Sequence, residues 1–116
     1  IEENELPEDA VLREIQEETG VKAKIVSIKK ELDLCDKHCR ELETPFIVLL
    51  EDIERDGTHN HIDMIYICEA INEDIVPDQT EVQGIGWFTV EEICELKTYD
   101  NVKKVVYKAT EFINSI

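Results

Sequence analysis

The segment Glu5–Val21, with the sequence ELPEDAVLREIQEETGV, determines how the rest of the chain is organised. Pro7 suits the first position of a helix, because no intrahelical bond needs its N–H there and its φ is already helical. Gly20 suits the position just after the last turn, where a left-handed residue caps the helix. The segment therefore predicts a helix that runs from Pro7 to the residue before Gly20. Its apolar stripe, with spacings of three and four residues, consists of Val11, Leu12 and Ile15.

A second group of residues on this predicted helix is acidic. Glu14, Glu17 and Glu18 lie at positions i, i+3 and i+4, which places their carboxylates on one side of the helix. Like charges repel at this spacing, so the pattern is either a solvated acidic face or a cation site. Mg²⁺ takes oxygen ligands and is often bound together with substrate phosphates. Arg13 can pair with Glu17 one turn further on and hold a carboxylate in one orientation.

The order of these residues resembles the Nudix box, a motif written G-x5-E-x7-R-E-U-x-E-E-x-G-U, where U is a bulky aliphatic residue. The matching positions are Glu5, Arg13, Glu14, Ile15, Glu17, Glu18, Gly20 and Val21. The first glycine of the motif would precede Ile1, so the sequence begins inside the motif. The resemblance implies an α/β fold, a Nudix-like α/β/α sandwich with a mixed β-sheet. The box helix would cover one side and the terminal helix the other, with the N-terminal strands missing from this chain.

The same resemblance implies an activity, a Nudix-type pyrophosphohydrolase that depends on Mg²⁺ or Mn²⁺. Its substrate would be a nucleoside diphosphate linked to another moiety, or a related compound, cleaved at the diphosphate linkage. Glu14, Glu17 and Glu18 would bind the metal, with Glu5 bracing the loop or adding an outer ligand. Arg13 would orient a carboxylate. The proton of the attacking water would pass to Glu17, Glu18 or Glu81, the last being an acid ahead of the Ile85–Thr89 segment.

Two other functions remain compatible with the sequence. One is a Nudix-fold binding or regulatory domain without turnover, against which the intact glutamate cluster argues. The other is a plain acidic interaction domain whose match to the box is a coincidence. A panel assay of turnover with Mg²⁺ decides the first alternative, and the absence of any effect of divalent cations on stability would favour the second.

Composition limits the classes of partner. The 116 residues predict a single domain, residues 1–116, and carry a formal charge of −16. Such a surface repels the backbone of duplex nucleic acid, which proteins bind through Lys and Arg. The sequence contains no run of about 18 apolar residues, so it predicts no membrane span. The resemblance implies a small diphosphate compound as the partner, and the acidic surface fits an approach to its phosphates through a bound metal.

The cysteines do not have the spacing of a disulfide framework. With an aliphatic core available, Cys35, Cys39, Cys68 and Cys94 predict reduced thiols and a cytoplasmic location. Cys35, His38 and Cys39 together suggest zinc, but no second ligand pair follows at finger-like spacing, so a polar loop is the better interpretation.

The segment from Asp52 to Asp63 imitates a calcium loop, yet its flanks are predicted strands. If this part of the chain is extended, His59, His61 and Asp63 share one face. They are either polar side chains at a hairpin end or the lining of a substrate pocket near the glutamates, where His61 or Asp63 would contact phosphate or a second metal.

The remaining elements follow from apolar periodicity and turn residues. Thr89 and Glu92 have the spacing of a capping box at the start of a helix. The predicted order is a strand over 21–34 twisted near Lys29-Lys30, an irregular segment 35–44, a buried strand 46–50, a hairpin turn at Arg55–Thr58, a strand 62–71, a polar connection 72–83, a strand 85–89, a helix 90–96 and an amphipathic helix 100–116.

The apolar strands predict a need for neighbours at both edges of the sheet. With the strands before the box missing, an exposed edge would pair with another chain, and a homodimer through this edge is expected. The sequence is accordingly expected to be part of a longer polypeptide, and the 116-residue piece alone to be a weak hydrolase.

Overall fold

The computed structural model describes residues 3–28, 38–52, 57–72 and 85–116. They belong to two compact units, Ile1–Gln83 and Gly84–Ile116, which are described in turn. The first contains α1 (Pro7–Thr19), β1 (Ala23–Ile25), β2 (Ile47–Asp52), β3 (Asn60–Ile65) and β4 (Cys68–Ala70). The second contains α2 (Val90–Glu95) and α3 (Asp100–Ser115).

Helix α1 has the predicted bounds. Pro7 occupies its first turn, and Gly20 ends it in the left-handed region at φ 75°, donating its N–H to the carbonyl of Gln16 at 2.8 Å. Thr19 fixes the exit of the helix, because its hydroxyl donates to the carbonyl of Ile15 and accepts the N–H of Val21. Val21 is therefore held in a buried position, and α1 packs against β1 directly after it.

The strands form two antiparallel pairs, β1 with β4 and β2 with β3. The prediction of one strand over 62–71 is wrong, because the chain changes its partner strand at Tyr66 and Ile67. Before this point Ile65 accepts the N–H of Phe46, and after it the carbonyl of Ile67 accepts the N–H of Val26. The strand predicted over 21–34 is confirmed for Ala23–Ile25, is absent at 26–28, and lies outside the described residues from Lys29 onward.

The β2–β3 hairpin has an apolar face that is open in this structure. Its register pairs Val48 with Met64 and Leu50 with Ile62, and all four side chains are exposed. The prediction that 46–50 is buried on both faces is therefore wrong, since alternate residues of β2 lie outside. The reason is the two-residue period of the strand, which gives a continuous apolar run two different faces. Pairing of a sheet edge with another chain stays a prediction.

The second unit begins with a correction. Residues 85–89, predicted as a strand, are irregular. Trp87 and Phe88 favour strands only where a neighbouring strand can pair with them. The ring of Phe88 instead lies over Gly86, so closely that a Cβ on Gly86 would stand 3.3 Å from it.

Helix α2 starts at the predicted capping box. Thr89 Oγ1 accepts the N–H of Glu92 at 3.1 Å, and Glu92 Oε1 accepts the N–H of Thr89 at 2.9 Å. Helix α3 follows over nearly the predicted range and contacts α2. Lys103 reinforces this contact by donating from Nζ to the carbonyl of Cys94 at 3.0 Å.

The Thr89 cap is open to a direct test. The substitution Thr89→Ala removes the side-chain acceptor of the capping box and is expected to lower the free energy of unfolding by about 1 kcal/mol. Urea denaturation followed by circular dichroism measures this change. Thr98→Ala, at an exposed threonine outside the helices, is the control and should change stability little. Equal effects of the two substitutions would contradict a specific role of the cap.

Cys39, Cys68 and Cys94 are free thiols, and Cys35 lies outside the described residues. Burial raises the pKa of Cys68, which disfavours the thiolate form. Within the described ranges, no helix combines the length and the apolar character needed to cross a bilayer.

Candidate active site

Arg13 and Glu5 form an ion pair through two hydrogen bonds at the start of α1. Arg13 Nε donates to Glu5 Oε2 at 2.8 Å, and Nη2 donates to Oε1 at 3.1 Å. The two side chains are largely shielded, with 16% of Glu5 and 28% of Arg13 exposed. Because both carboxylate oxygens of Glu5 accept from Arg13, the contact ties the residue before the helix to the second turn of the helix. This geometry favours Glu5 as a brace over Glu5 as a metal ligand.

The same guanidinium also reaches the acidic cluster. Arg13 Nη1 donates to Glu17 Oε2 at 3.0 Å, the i, i+4 pair that the sequence predicts. Arg13 Nη2 lies 3.7 Å from Glu14 Oε1. Arg13 thus offsets part of the mutual repulsion of the carboxylates and orients Glu17, while its contact with Glu14 is longer.

The acidic cluster of Glu14, Glu17 and Glu18 stands on the exposed side of α1. About half of each of the Glu14 and Glu17 side chains is accessible, and Glu18 is exposed. In the part of the chain that is described, no three His, Cys, Asp or Glu side chains converge in a geometry that could hold a metal ion. The donor chemistry nevertheless fits Mg²⁺ or Mn²⁺, because all three residues supply carboxylate oxygens. Exposed glutamates can also change rotamer without disturbing the core.

A cleft of about 210 Å³ lies beside Glu14, between α1 and β3. Ala10, Val11 and Glu14 line it from the helix. Ile62, Met64 and Tyr66 line it from the strand side. The acidic cluster therefore adjoins a concave surface that both acidic and apolar side chains line.

Of the three residues predicted to share a pocket-lining face, Asp63 lies at the cleft together with Glu14. His61 is exposed opposite Glu51 in the β2–β3 register, and His59 is exposed just before the strand. A hydrogen bond to the Asp63 side chain and the charge of Asp63 raise the pKa of Glu51, with burial adding to the rise and His61 opposing it. Contact of His61 or Asp63 with phosphate or a second metal stays a prediction.

The sequence did not predict the apolar wall of the cleft. Ile62, Met64 and Tyr66 lie at every second position of an extended segment, and this alternation was the available signal. Burial, with the charges of Glu8 and Glu43, raises the pKa of the Tyr66 phenol. Glu81, the predicted alternative base, lies outside the described residues, and its role stays a prediction.

Comparisons with known proteins show the family and the fold. The sequence model described as the NUDIX domain matches residues 1–110. A crystal structure of a hydrolase of the NUDIX family from Clostridium perfringens is similar at a TM-score of 0.74 and 26% sequence identity, over 98% of this chain and 75% of that chain. No curated protein matches the chain. The family match and the shared architecture confirm the α/β Nudix-like fold, and hydrolases of this family generally use divalent metal ions. The chain therefore belongs to the Nudix hydrolase family.

Proposed function

We propose that the chain hydrolyses the diphosphate linkage of a nucleoside diphosphate joined to another moiety, with Mg²⁺ or Mn²⁺ as cofactor. The observation that supports this most directly is the Arg13 guanidinium, which holds Glu5 with two hydrogen bonds and Glu17 with a third. It holds Glu5, which precedes α1, and Glu17, which lies on α1, close to Glu14 and a cleft of about 210 Å³. In a plain acidic surface domain, nothing requires one guanidinium to hold two of the acids in fixed orientations.

Glu14, Glu17 and Glu18 would hold the metal through their carboxylates. When bound, the cation would neutralise the charge of the diphosphate and polarise both the attacked phosphorus and the attacking water. Both carboxylate oxygens of Glu5 accept hydrogen bonds from Arg13, and this contact keeps the start of α1 in place. Arg13 in turn fixes the orientation of Glu17. Shielding of the Glu5–Arg13 pair from solvent makes this orientation persistent.

Proton removal from the attacking water falls to a carboxylate of this chain. Glu17 and Glu18 are candidates because their side chains are exposed next to Glu14 on α1, and Glu81 is a third. A general base has to come within hydrogen-bonding distance of the water. This geometric condition has to be met before the pKa of the base matters. The pH dependence of turnover in single Gln variants at each of the three positions identifies the base.

The activity is tested with a panel of nucleoside-diphosphate compounds in the presence and absence of Mg²⁺ and Mn²⁺. Metal-dependent release of a monophosphate from at least one compound supports the proposal. Binding of a compound without any release, in the same conditions, would instead indicate the binding or regulatory alternative. No response to either cation in binding or turnover would contradict both.

Metal binding has its own expected effect on stability. A divalent cation that binds only the folded state raises the melting temperature through mass action. Millimolar Mg²⁺ should therefore raise the melting temperature, and Glu14→Gln should reduce this gain. Asp9→Asn is the matched control, because it removes one negative charge from an exposed position of the same helix. An equal gain in both variants would show that Mg²⁺ merely screens the net charge of −16.

A further inference from the structure

Charge is unevenly distributed between the two units of the chain. Residues 1–83 carry 23 acids and 8 bases, whereas residues 84–116 carry 5 acids and 4 lysines. The formal charge is therefore −15 for the first unit and −1 for the second. All lysines of the second unit lie within residues 97–108, where Asp100 is the one acid, so this stretch has a net charge of +3.

Three of these lysines lie on α3 around an open recess of about 350 Å³. We call the surface that borders this recess the lysine face, and it consists of Cys94, Lys103, Lys104, Tyr107 and Lys108. Tyr107 is 56% exposed, and the aliphatic stems of the lysines add apolar surface beneath their ammonium groups. The lysine face therefore combines positive charge with apolar contact area, which suits an anionic partner.

The lysines of this face differ in the contacts they already make. Lys103 donates from Nζ to the carbonyl of Cys94 at 3.0 Å and so helps to hold α2 on α3. Lys108 pairs with Glu111 at 3.2 Å, an exposed contact of small energy. Lys104 is exposed and forms no ion pair within the described ranges. Lys104 is accordingly the charge of the lysine face that remains for a partner.

The acidic cluster of α1 has the complementary charge. It occupies the last two turns of α1, and the last turn contains no basic residue. Carbonyl groups at the C-terminal end of a helix carry partial negative charge, which favours a cation beside them. Arg13 balances Glu17 from within the helix, whereas Glu18 is exposed at the end of the cluster. The C-terminal half of α1 thus favours a cation supplied by another molecule.

We propose that the lysine face of α3 docks on the acidic cluster of α1 in a second copy of this chain. Each copy carries both surfaces, so two reciprocal contacts form in a two-fold dimer. Charge complementarity acts at short range, because the Debye length is about 10 Å at 0.1 M salt and the more distant charges of two acidic molecules are screened. A nucleic acid is less suited, since its densely spaced phosphates would face a chain of net charge −16.

The docking has a consequence for the metal. The contact covers carboxylates that the proposed function assigns to the cation, so a bound cation and a bound second copy exclude each other. Millimolar Mg²⁺ should therefore dissociate the dimer more than NaCl of equal ionic strength does. This consequence rests on the proposed function, whereas the docking itself does not. A dimer that depends on Lys104 but does not respond to Mg²⁺ supports the docking and counts against the cation site.

Sedimentation velocity of the 116-residue chain, in buffer that contains a chelator, measures the association. We expect a dimer at 0.1 M NaCl that dissociates towards 1 M, because salt screens the contact. Lys104→Gln should raise Kd about tenfold, since the dimer contains this contact twice. Lys24→Gln is the matched control, because it removes one positive charge at an exposed lysine of the first unit, and it should leave Kd unchanged. A chain that stays monomeric, a dimer that tightens as salt is added, or equal effects of the two substitutions would overturn the proposal.

An exchange of charges between the two surfaces identifies the partner. Lys104→Glu and Glu18→Lys should each abolish self-association, because each places like charges in both contacts. A mixture of the two variants should form a dimer again, since opposite charges then meet in both contacts. Circular dichroism checks that both variants fold. Failure of the mixture to associate overturns the proposal, as does binding of a single-stranded oligonucleotide that depends on Lys104 while the chain stays monomeric.

Discussion

Glu17→Gln and Glu18→Gln are each expected to lower turnover on the order of 10²-fold or more, with the fold unchanged. Each substitution removes one carboxylate from the proposed cation site and retains the size of the side chain. Lewis-acid stabilisation by a bound metal contributes several kcal/mol, and each ~1.4 kcal/mol corresponds to a tenfold change in rate. The measurement is kcat and kcat/KM for the hydrolysed diphosphate compound at saturating Mg²⁺.

Stability should hardly respond to these substitutions. Both glutamates are exposed on α1, and exposed substitutions usually change the free energy of unfolding by less than about 0.5 kcal/mol. Asp9→Asn, with the same loss of charge on the same helix, should retain turnover within a few-fold. Near wild-type turnover in both Gln variants would remove the metal-site assignment, and a comparable loss in Asp9→Asn would trace the effect to the charge of the helix.

Helix α1 was predictable from sequence because its signals are local. Pro7, Gly20 and the apolar spacing all act within the segment, so no partner elsewhere in the chain is needed to define its ends. The capping box at Thr89 is local in the same sense, and it formed as predicted. The 85–89 strand failed because a strand is defined by its neighbour, and the preference of Trp87 and Phe88 for strands cannot supply one.

The candidate site shows the same division between local and long-range information. The Arg13–Glu17 contact follows from helical spacing and was predicted, whereas the two-pronged contact with Glu5 depends on the path of the chain before the helix. The cleft was not predictable, because Val11 and Met64 are distant in sequence and come to line one cleft only in the folded chain. The residue spacing of the Nudix box thus identifies the acidic residues of the site, whereas the cleft next to them is visible only in the tertiary structure.

The Glu5–Arg13 contact should be the strongest single coupling on α1. In a double-mutant cycle of Arg13→Ala and Glu5→Ala, we expect a coupling energy of about 1.5–3 kcal/mol, the range for hydrogen bonds to charged groups. The reason is the shielding of both side chains together with the two parallel hydrogen bonds. Urea denaturation of the four proteins of the cycle measures this energy.

A second cycle on the same guanidinium supplies the control. Arg13 and Glu17 form an i, i+4 pair through one hydrogen bond with a half-exposed acid, and such pairs couple by about 0.3–0.5 kcal/mol. Arg13→Lys preserves the charge and removes the planar fork, so it should recover only a minor part of the Glu5 coupling. Equal couplings in the two cycles, or full recovery with lysine, would mean that charge alone orders the site. A large difference between them would mean that the guanidinium is fixed by Glu5 and presented, already oriented, to Glu17.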